Sequence, residues 1–203
     1  MKTMTPEEII KKYSDAAKEY DKIGLDDEYI AHKKMALAVI DELKLENAEI
    51  IDLGCGTGLS SVEFFKKGYV VTGVDITPKM IDEARKHPFE KLICQNLDTP
   101  LKVEDNIFDA AVLTGVMEFI QDPLALFKEV NRVLKAEGVF AVTIPQKFPK
   151  GSKIPFDSYS KEEIEPVFKK VGFRIIRCDE FFGYKKWGSG EEIHYYGYVL
   201  RKS

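Results

Sequence analysis

The strongest chemical signal in the chain lies in nine residues, Ile50-Ile51-Asp52-Leu53-Gly54-Cys55-Gly56-Thr57-Gly58. An apolar run ends abruptly at glycines spaced two apart, as a strand does where it hands over to a helix and the backbone must approach a ligand closely. A Cβ on Gly56 would occupy the ligand's space. Beyond this turn Asp75 closes a second apolar run, Tyr69-Val70-Val71-Thr72-Gly73-Val74. A carboxylate at that point can accept both hydroxyls of a ribose. Together the turn and Asp75 imply a cofactor that contains adenosine.

The glycine spacing narrows the choice. A dinucleotide turn reads G-x-G-x-x-G, whereas this one reads G-x-G-x-G; a P-loop needs a lysine directly after its last glycine, and Lys66 and Lys67 lie too far along. The run from Asp52 to Gly58, followed by Gly73-Val74-Asp75, resembles motifs I and II of the class I S-adenosylmethionine (SAM) dependent methyltransferases. The resemblance implies that Asp52 meets the methionine amino group directly or through water. It also implies that Gly54 and Gly56 let backbone pass close to the cofactor, that Asp75 holds the ribose, and that Ile76 packs on adenine. Cys55 fits the loop as a small residue. Asp75-Ile76-Thr77-Pro78-Lys79-Met80 resembles the family's D-x-[ST]-x-x-M step, and Phe108-Asp109 is a family hallmark. Thr114-Gly115-Val116-Met117-Glu118-Phe119-Ile120 is similar to its S-x-x-V-L-E-H-[VI] segment, which implies Thr114 and Gly115 beneath the methionine part. Phe119 stands where the family often has histidine. In the loop Gln95 to Leu101, where relatives carry an adenine-binding Asp, Asn96 and Leu97 fit best and Asp98 is a rival. The run Tyr13 to Tyr20-Asp21 resembles a tyrosine-aspartate segment that covers the cofactor, which would place Tyr20 there; the other reading is a packing aromatic.

The elements that must position these residues alternate in a regular way. Thr5-Pro6-Glu7-Glu8 starts a helix that should run to about Tyr20. A second is expected from about Asp26 to Leu43, with Lys22 to Leu25 between them. Leu59 to Lys67 reads as a helix ended by Gly68, and Thr77-Pro78 restarts one after the strand that Asp75 closes. Short strands follow at Lys91–Cys94, Asn106–Thr114 and Val139–Ile144, the last two separated by a helix opening at Asp122-Pro123 and a turn at Glu137-Gly138. Pro145 to Tyr159 reads as a substrate-side lid or rim, because a loop of that length is usually functional. Ser160-Lys161-Glu162-Glu163 is a capping box. Phe173–Phe182 and Glu192–Arg201 alternate as strands of an antiparallel hairpin. The expected fold is therefore α/β: a three-layer α/β/α Rossmann-like methyltransferase fold, with a seven-stranded mostly parallel sheet and one antiparallel strand. A single domain should span residues 1–203, with a helical cover (1–45), a cofactor-binding core (46–144), and a substrate-side loop, helix and hairpin (145–203).

Composition sets the outer limits. A chain of 203 residues, 44% hydrophobic and 32% charged, has enough material for one soluble core. Its net charge of -4 argues against a generic nucleic-acid surface, which needs a clustered positive field. No apolar run reaches the roughly 18 residues of a membrane span, so a cytoplasmic protein with no membrane partner is expected. Cys55, Cys94 and Cys178, and the three histidines, show no metal-ligand spacing, and a metal-independent reaction is expected.

The resemblance implies a SAM-dependent methyltransferase that yields S-adenosyl-L-homocysteine and methylates a small molecule by in-line displacement. Glu118, Asp157 and His194 are the candidates if the acceptor needs a base. Two other readings stay open at this point, a SAM-binding sensor or partner protein without transfer activity and a nicotinamide-dependent oxidoreductase; the glycine spacing counts against the latter.

Overall fold

The computed structural model describes residues 4–22, 30–148, 152, 157–185 and 191–203. Helix α1 (Pro6–Ala16) is held at its start by a reciprocal cap, in which Thr5 Oγ1 accepts the Glu8 N–H at 3.3 Å and Glu8 Oε2 accepts the Thr5 N–H at 2.7 Å. It stops earlier than its sequence pattern predicts: residues 17–19 turn, and helical geometry resumes at 20–22. The predicted connector and the start of the second helix fall largely outside the described residues. Helix α2 (Ala31–Leu43) ends on Lys44 in the left-handed region and buries Met35, Ala38 and Val39.

Seven strands form one sheet: β1 (Glu49–Leu53), β2 (Val70–Asp75), β3 (Lys91–Cys94), β4 (Phe108–Leu113), β5 (Leu134–Pro145), β6 (Phe173–Lys185) and β7 (Glu192–Lys202). Their order is β3-β2-β1-β4-β5-β7-β6. The first five are parallel, and β7 runs antiparallel to both β5 and β6, so the single reversed strand lies one place in from the edge. Short helices α3 (Val62–Lys66) and α4 (Pro78–Ala84) and longer α5 (Pro123–Val133) and α6 (Lys161–Lys170) complete the layers. One core cluster packs Leu126 and Phe127 of α5 and Phe168 of α6 against Phe140 and Tyr198. The other packs α2 and Phe64 of α3 against the opposite face, on Ile50, Val112 and Val139. Each large apolar side chain buried in this way stabilises the fold by roughly 1.5–3 kcal/mol.

Two boundaries differ from expectation. Leu59–Ser61 is a 3-10 turn before α3, because the chain must still turn away from Gly58 (φ 107°) before an α-helix can begin. Strand β5 starts at Leu134 instead of Val139: Glu137 takes φ 61°, and a register shift between Phe108 and Ala110 absorbs the irregularity, so the strand continues through the predicted turn.

Register decides where the functional residues arrive. Leu53 pairs with Val74 on one side and with Leu113 on the other, while Asp75 pairs with Cys94. Gly54, Asp75, Gln95 and Thr114 therefore leave the sheet together at its carboxyl edge, the end at which open α/β sheets take ligands.

Candidate active site

A cleft of about 760 Å³, counting its open mouth, lies at that edge. Gly54, Gly56, Asp75, Ile76, Asn96, Leu97, Thr114 and Gly115 line it, as does Tyr20 from the N-terminal segment. The size is ordinary for a small-molecule site.

The glycines take the conformations a close backbone approach requires. Gly54 (φ 73°) lies so near Val116 that any Cβ there would strike the valine side chain. Gly56 (φ 52°) is different: a Cβ there would meet no atom within 4 Å and would project into open space beside the cleft. The loop is tied to β2, since Gly54 and Cys55 both donate N–H bonds to the Val74 carbonyl, at 2.7 and 3.0 Å.

Asp75 is the hub. Its Oδ2 accepts the Gly56 N–H at 2.9 Å and its Oδ1 accepts the Thr77 N–H at 2.8 Å, and the Thr77 side chain makes a further hydrogen bond to the carboxylate. Burial raises its carboxyl above the usual range, against the opposing pull of these N–H bonds. Tyr20 faces it, and burial together with Asp75, Glu118 and Asp21 pushes the Tyr20 phenol up to about 12.

Two of the predicted cofactor residues stand behind the wall. Asp52 is fully buried, with Oδ2 accepting the hydroxyls of Ser60 at 2.7 Å and Ser61 at 2.6 Å while Oδ1 has no hydrogen-bond partner. Burial pushes its carboxyl up to about 6. Cys55 is also buried; its Sγ fills the space left by Gly73 on β2, and burial drives its thiol well upward. In the adenine-side loop Asn96 Oδ1 accepts the Asp98 N–H at 3.0 Å, and Asp98 Oδ1 accepts the Gln121 N–H at 3.1 Å. Asn96 is thus oriented by the loop itself and Asp98 by the segment at Gln121, and both line the cleft. The Gly115 N–H is fixed by Thr143 Oγ1 at 2.9 Å.

The three base candidates separate. Glu118 is buried beneath the cleft with the Tyr195 hydroxyl on its Oε1. The Asp157 N–H donates to the Glu118 carbonyl at 3.3 Å, which sets the end of the 145–159 loop beside it. His194 lies apart from both, exposed on β7, with Nε2 3.3 Å from Glu192 Oε2.

Sequence reading missed Met4, Pro6 and Ile9, which with Tyr13 line the cleft from the N-terminal side. A signal was present, because Pro6, Ile9 and Tyr13 recur on one face of α1. Tyr13 meets Tyr20 and Phe119 edge to face at 6.0 and 5.9 Å, and Lys12 Nζ lies 5.2 and 5.8 Å from the ring centres of Tyr13 and Phe119. Thr77, Met80 and Gln121 are further lining residues.

Against this geometry, residues 51–142 match the family model described as a methyltransferase domain. Over that stretch the chain is similar to methyltransferase domains. The match contains the glycine turn, Asp75 and the Thr114 to Ile120 segment. A ubiquinone biosynthesis O-methyltransferase of Xanthomonas oryzae pv. oryzae is 29% identical over 112 residues, covering 53% of this chain and 47% of the relative. This chain thus spans about half the length of the curated relatives it matches. Among solved structures, Burkholderia thailandensis 1,6-didemethyltoxoflavin-N1-methyltransferase, with its substrate and S-adenosylhomocysteine bound, superposes with a TM-score of 0.74 at 16% identity, covering 100% of this chain and 92% of that one. The [4+2]-cyclase SpnF shares the fold at a TM-score of 0.67 and 18% identity, covering 83% and 80%. At these identities the likeness is one of fold. Among the described residues no helix is long and apolar enough to cross a membrane, and no group of three or more His, Cys, Asp or Glu could hold a metal ion.

Proposed function

We propose that this chain works as a single-domain, metal-independent SAM-dependent methyltransferase whose acceptor is a small molecule and not a nucleic acid. The observation that carries the reading is the convergence of Gly54, Gly56 and Asp75 on one cleft, with space at Gly56 that a side chain would fill. The residues fit the cofactor. The remaining acceptor capacity of Asp75 suits a ribose hydroxyl, and the unpartnered Oδ1 of buried Asp52 suits an ammonium reaching it directly or through water. Ile76 and Leu97 offer apolar faces to an adenine, with Asn96 or Asp98 at its edge, while Thr114 and Gly115 would lie beneath the methionine part and Tyr20 above it.

When bound, SAM supplies an activated methyl group on a sulfonium. The protein's share is to place the acceptor in line, and positioning of this kind can lower a barrier by roughly 7–11 kcal/mol. Phe119, Tyr13 and Ile9 cover the cleft with apolar surface, which excludes water from the reacting atoms. The aromatic faces of Tyr13 and Tyr20 favour a cation near them.

Calorimetry with SAM in the presence of a chelator tests the cofactor, and tight NAD binding with no SAM heat would end the assignment. A transfer screen against metabolite extract, read by mass as products heavier by one methylene, tests the activity. A specific observation favours keeping the second reading in that screen, since a cyclase shares the fold: SAM heat with no methylated product would point to binding without transfer.

A further inference from the structure

Glu118 is not used by the reading above. It is buried in the turn after β4 and is not among the residues that line the cleft. Its neighbours in sequence are: Thr114, Gly115, Val116, Phe119 and Ile120 all line it, and the Phe119 N–H donates to the Val116 carbonyl at 2.9 Å, so the turn that carries Glu118 is the floor of the cofactor site. Glu118 Oε1 accepts the Tyr195 hydroxyl, while Oε2 has no hydrogen-bond partner. A carboxylate buried in that state stabilises a fold less than an apolar side chain of similar volume would.

Glu118 and Tyr195 belong to a closed ring of contacts. Strand β5 ends at Pro145, on the same carboxyl edge as the cleft, and Pro145 pairs with Tyr195 of β7. Gln146 donates through Nε2 to the Tyr195 carbonyl at 3.2 Å and through its N–H to the His194 carbonyl at 2.8 Å. The Tyr195 hydroxyl reaches Glu118, whose own carbonyl accepts the Asp157 N–H at 3.3 Å. Two residues on, the Tyr159 N–H returns to the Pro145 carbonyl at 2.9 Å, beside a bridge between Gln146 and Tyr159. Each step is a hydrogen bond or a run of adjacent residues. The Tyr195 ring has a place made for it, since a Cβ on Gly183 would strike it. The proposed cofactor contacts lie at the ends of β1, β2 and β4, which leaves the end of β5 and the segments 145–146 and 157–159 on the acceptor's side.

We propose that Glu118 is a positioning residue that couples the two halves of the site. Through Tyr195 and Asp157 it ties the segments 145–146 and 157–159 to the floor beneath the cofactor, so that a bound cofactor fixes the acceptor side. The inference rests on the SAM reading. A ligand lying on Thr114, Gly115 and Phe119 steadies the turn, and the turn then presents Glu118 to Tyr195 and Asp157 in one geometry. Those two contacts hold both segments at once, because the segments are also joined to each other through Pro145 and Tyr159. By linkage the coupling works in both directions, and an acceptor bound against these segments tightens the cofactor.

Amide exchange in the intact chain, with and without S-adenosylhomocysteine, reads this coupling without an acceptor. In the wild type the ligand should slow exchange in Leu53 to Gly58, where it binds, and by about 5- to 150-fold at the amides of Gln146, Asp157 and Tyr159. Tyr195→Phe removes the bond from one side and Glu118→Met from the other, and each serves if the other does not fold. In both, Leu53 to Gly58 should still be protected while the three amides no longer respond. Glu118→Gln keeps a carbonyl oxygen for the Tyr195 hydroxyl and should retain the response. A bond that only stabilised the fold would lower the melting point of the first two variants and leave the ligand's effect on the three amides intact, and that result overturns the proposal. So does a wild type in which the ligand protects Leu53 to Gly58 and not the three amides, or a Glu118→Gln variant that has lost the response. A wild type that binds neither SAM nor S-adenosylhomocysteine would instead overturn the SAM reading and the coupling with it.

Discussion

Thr57 Oγ1 donates a 2.5 Å hydrogen bond to Asp21 Oδ1, joining the middle of the glycine loop to the segment that follows α1. The two residues are 36 positions apart, and each belongs to a part of the chain that contacts the cleft. Hydrogen bonds to charged groups contribute about 1.5–3 kcal/mol. Thr57→Val keeps the shape of the side chain and removes this bond. Its affinity for SAM should fall by roughly 10- to 150-fold, as measured by calorimetry. An unchanged affinity would mean that the bond orders the segment without serving the site.

Asp75→Ala should do more than weaken binding. Loss of the ribose contacts alone predicts a fall of about 10- to 150-fold in affinity. From sequence, the ligand-free protein would be expected to keep its stability, but the structure adds a second cost: the N–H groups of Gly56 and Thr77 both lose their acceptor. Orphaned buried donors cost about 1–3 kcal/mol each. Thermal melting of the variant without ligand should therefore drop by several degrees, and an unaltered melting point would show that water replaces the carboxylate.

Much of this was legible in the sequence. The glycine turn and Asp75 could be placed because a strand ending in glycines has few structural uses, and a mostly parallel sheet with one reversed strand follows from a βα alternation that ends in a hairpin. What escaped was long-range. The Pro6, Ile9 and Tyr13 face of α1 looks like any amphipathic helix until the fold lays it across the cleft, and nothing local tells the start of β5 from a turn. Glu118, Asp157 and His194 looked alike as polar residues near strand ends. Only the packing of β7 against β5 buries Glu118 under Tyr195 and leaves His194 on the outer face.

Asp52 makes stability depend on pH with a definite sign. Its folded carboxyl is pushed up to about 6 from an ordinary 3.8, so the folded chain binds this proton more tightly than the unfolded chain. Stability from this group is therefore greatest in acid, declines as the pH rises through the interval between those values, and stays lower above it. Two units correspond to about 3 kcal/mol. Asp52→Asn can still accept a serine hydroxyl and carries no charge, so at about pH 8 it should melt higher than the wild type, with the gap closing by about pH 4. Its affinity for SAM should fall if Asp52 meets the methionine ammonium. A melting point at or below the wild type's throughout would show that the buried carboxylate is already neutralised.

Removal of residues 1–16 tests whether α1 is a cover. The helix packs against α4, yet none of its residues is fully buried, while Pro6, Ile9 and Tyr13 face the cleft. All seven strands lie downstream, and the loop from Leu53 to Gly58 is held by Val74 and Asp75. The truncated chain should therefore fold, with a melting point close to that of the intact protein. Its affinity is another matter, because burying a side chain such as Ile9 or Tyr13 against a ligand contributes up to about 1.5–3 kcal/mol, or roughly tenfold or more in binding. In the intact chain, S-adenosylhomocysteine should slow amide exchange across α1, across Leu53 to Gly58, and in the described end of the 145–159 loop. If the truncated chain binds as tightly as the intact one and exchange in α1 ignores the ligand, the helix is a packing element and the acceptor enters from another side.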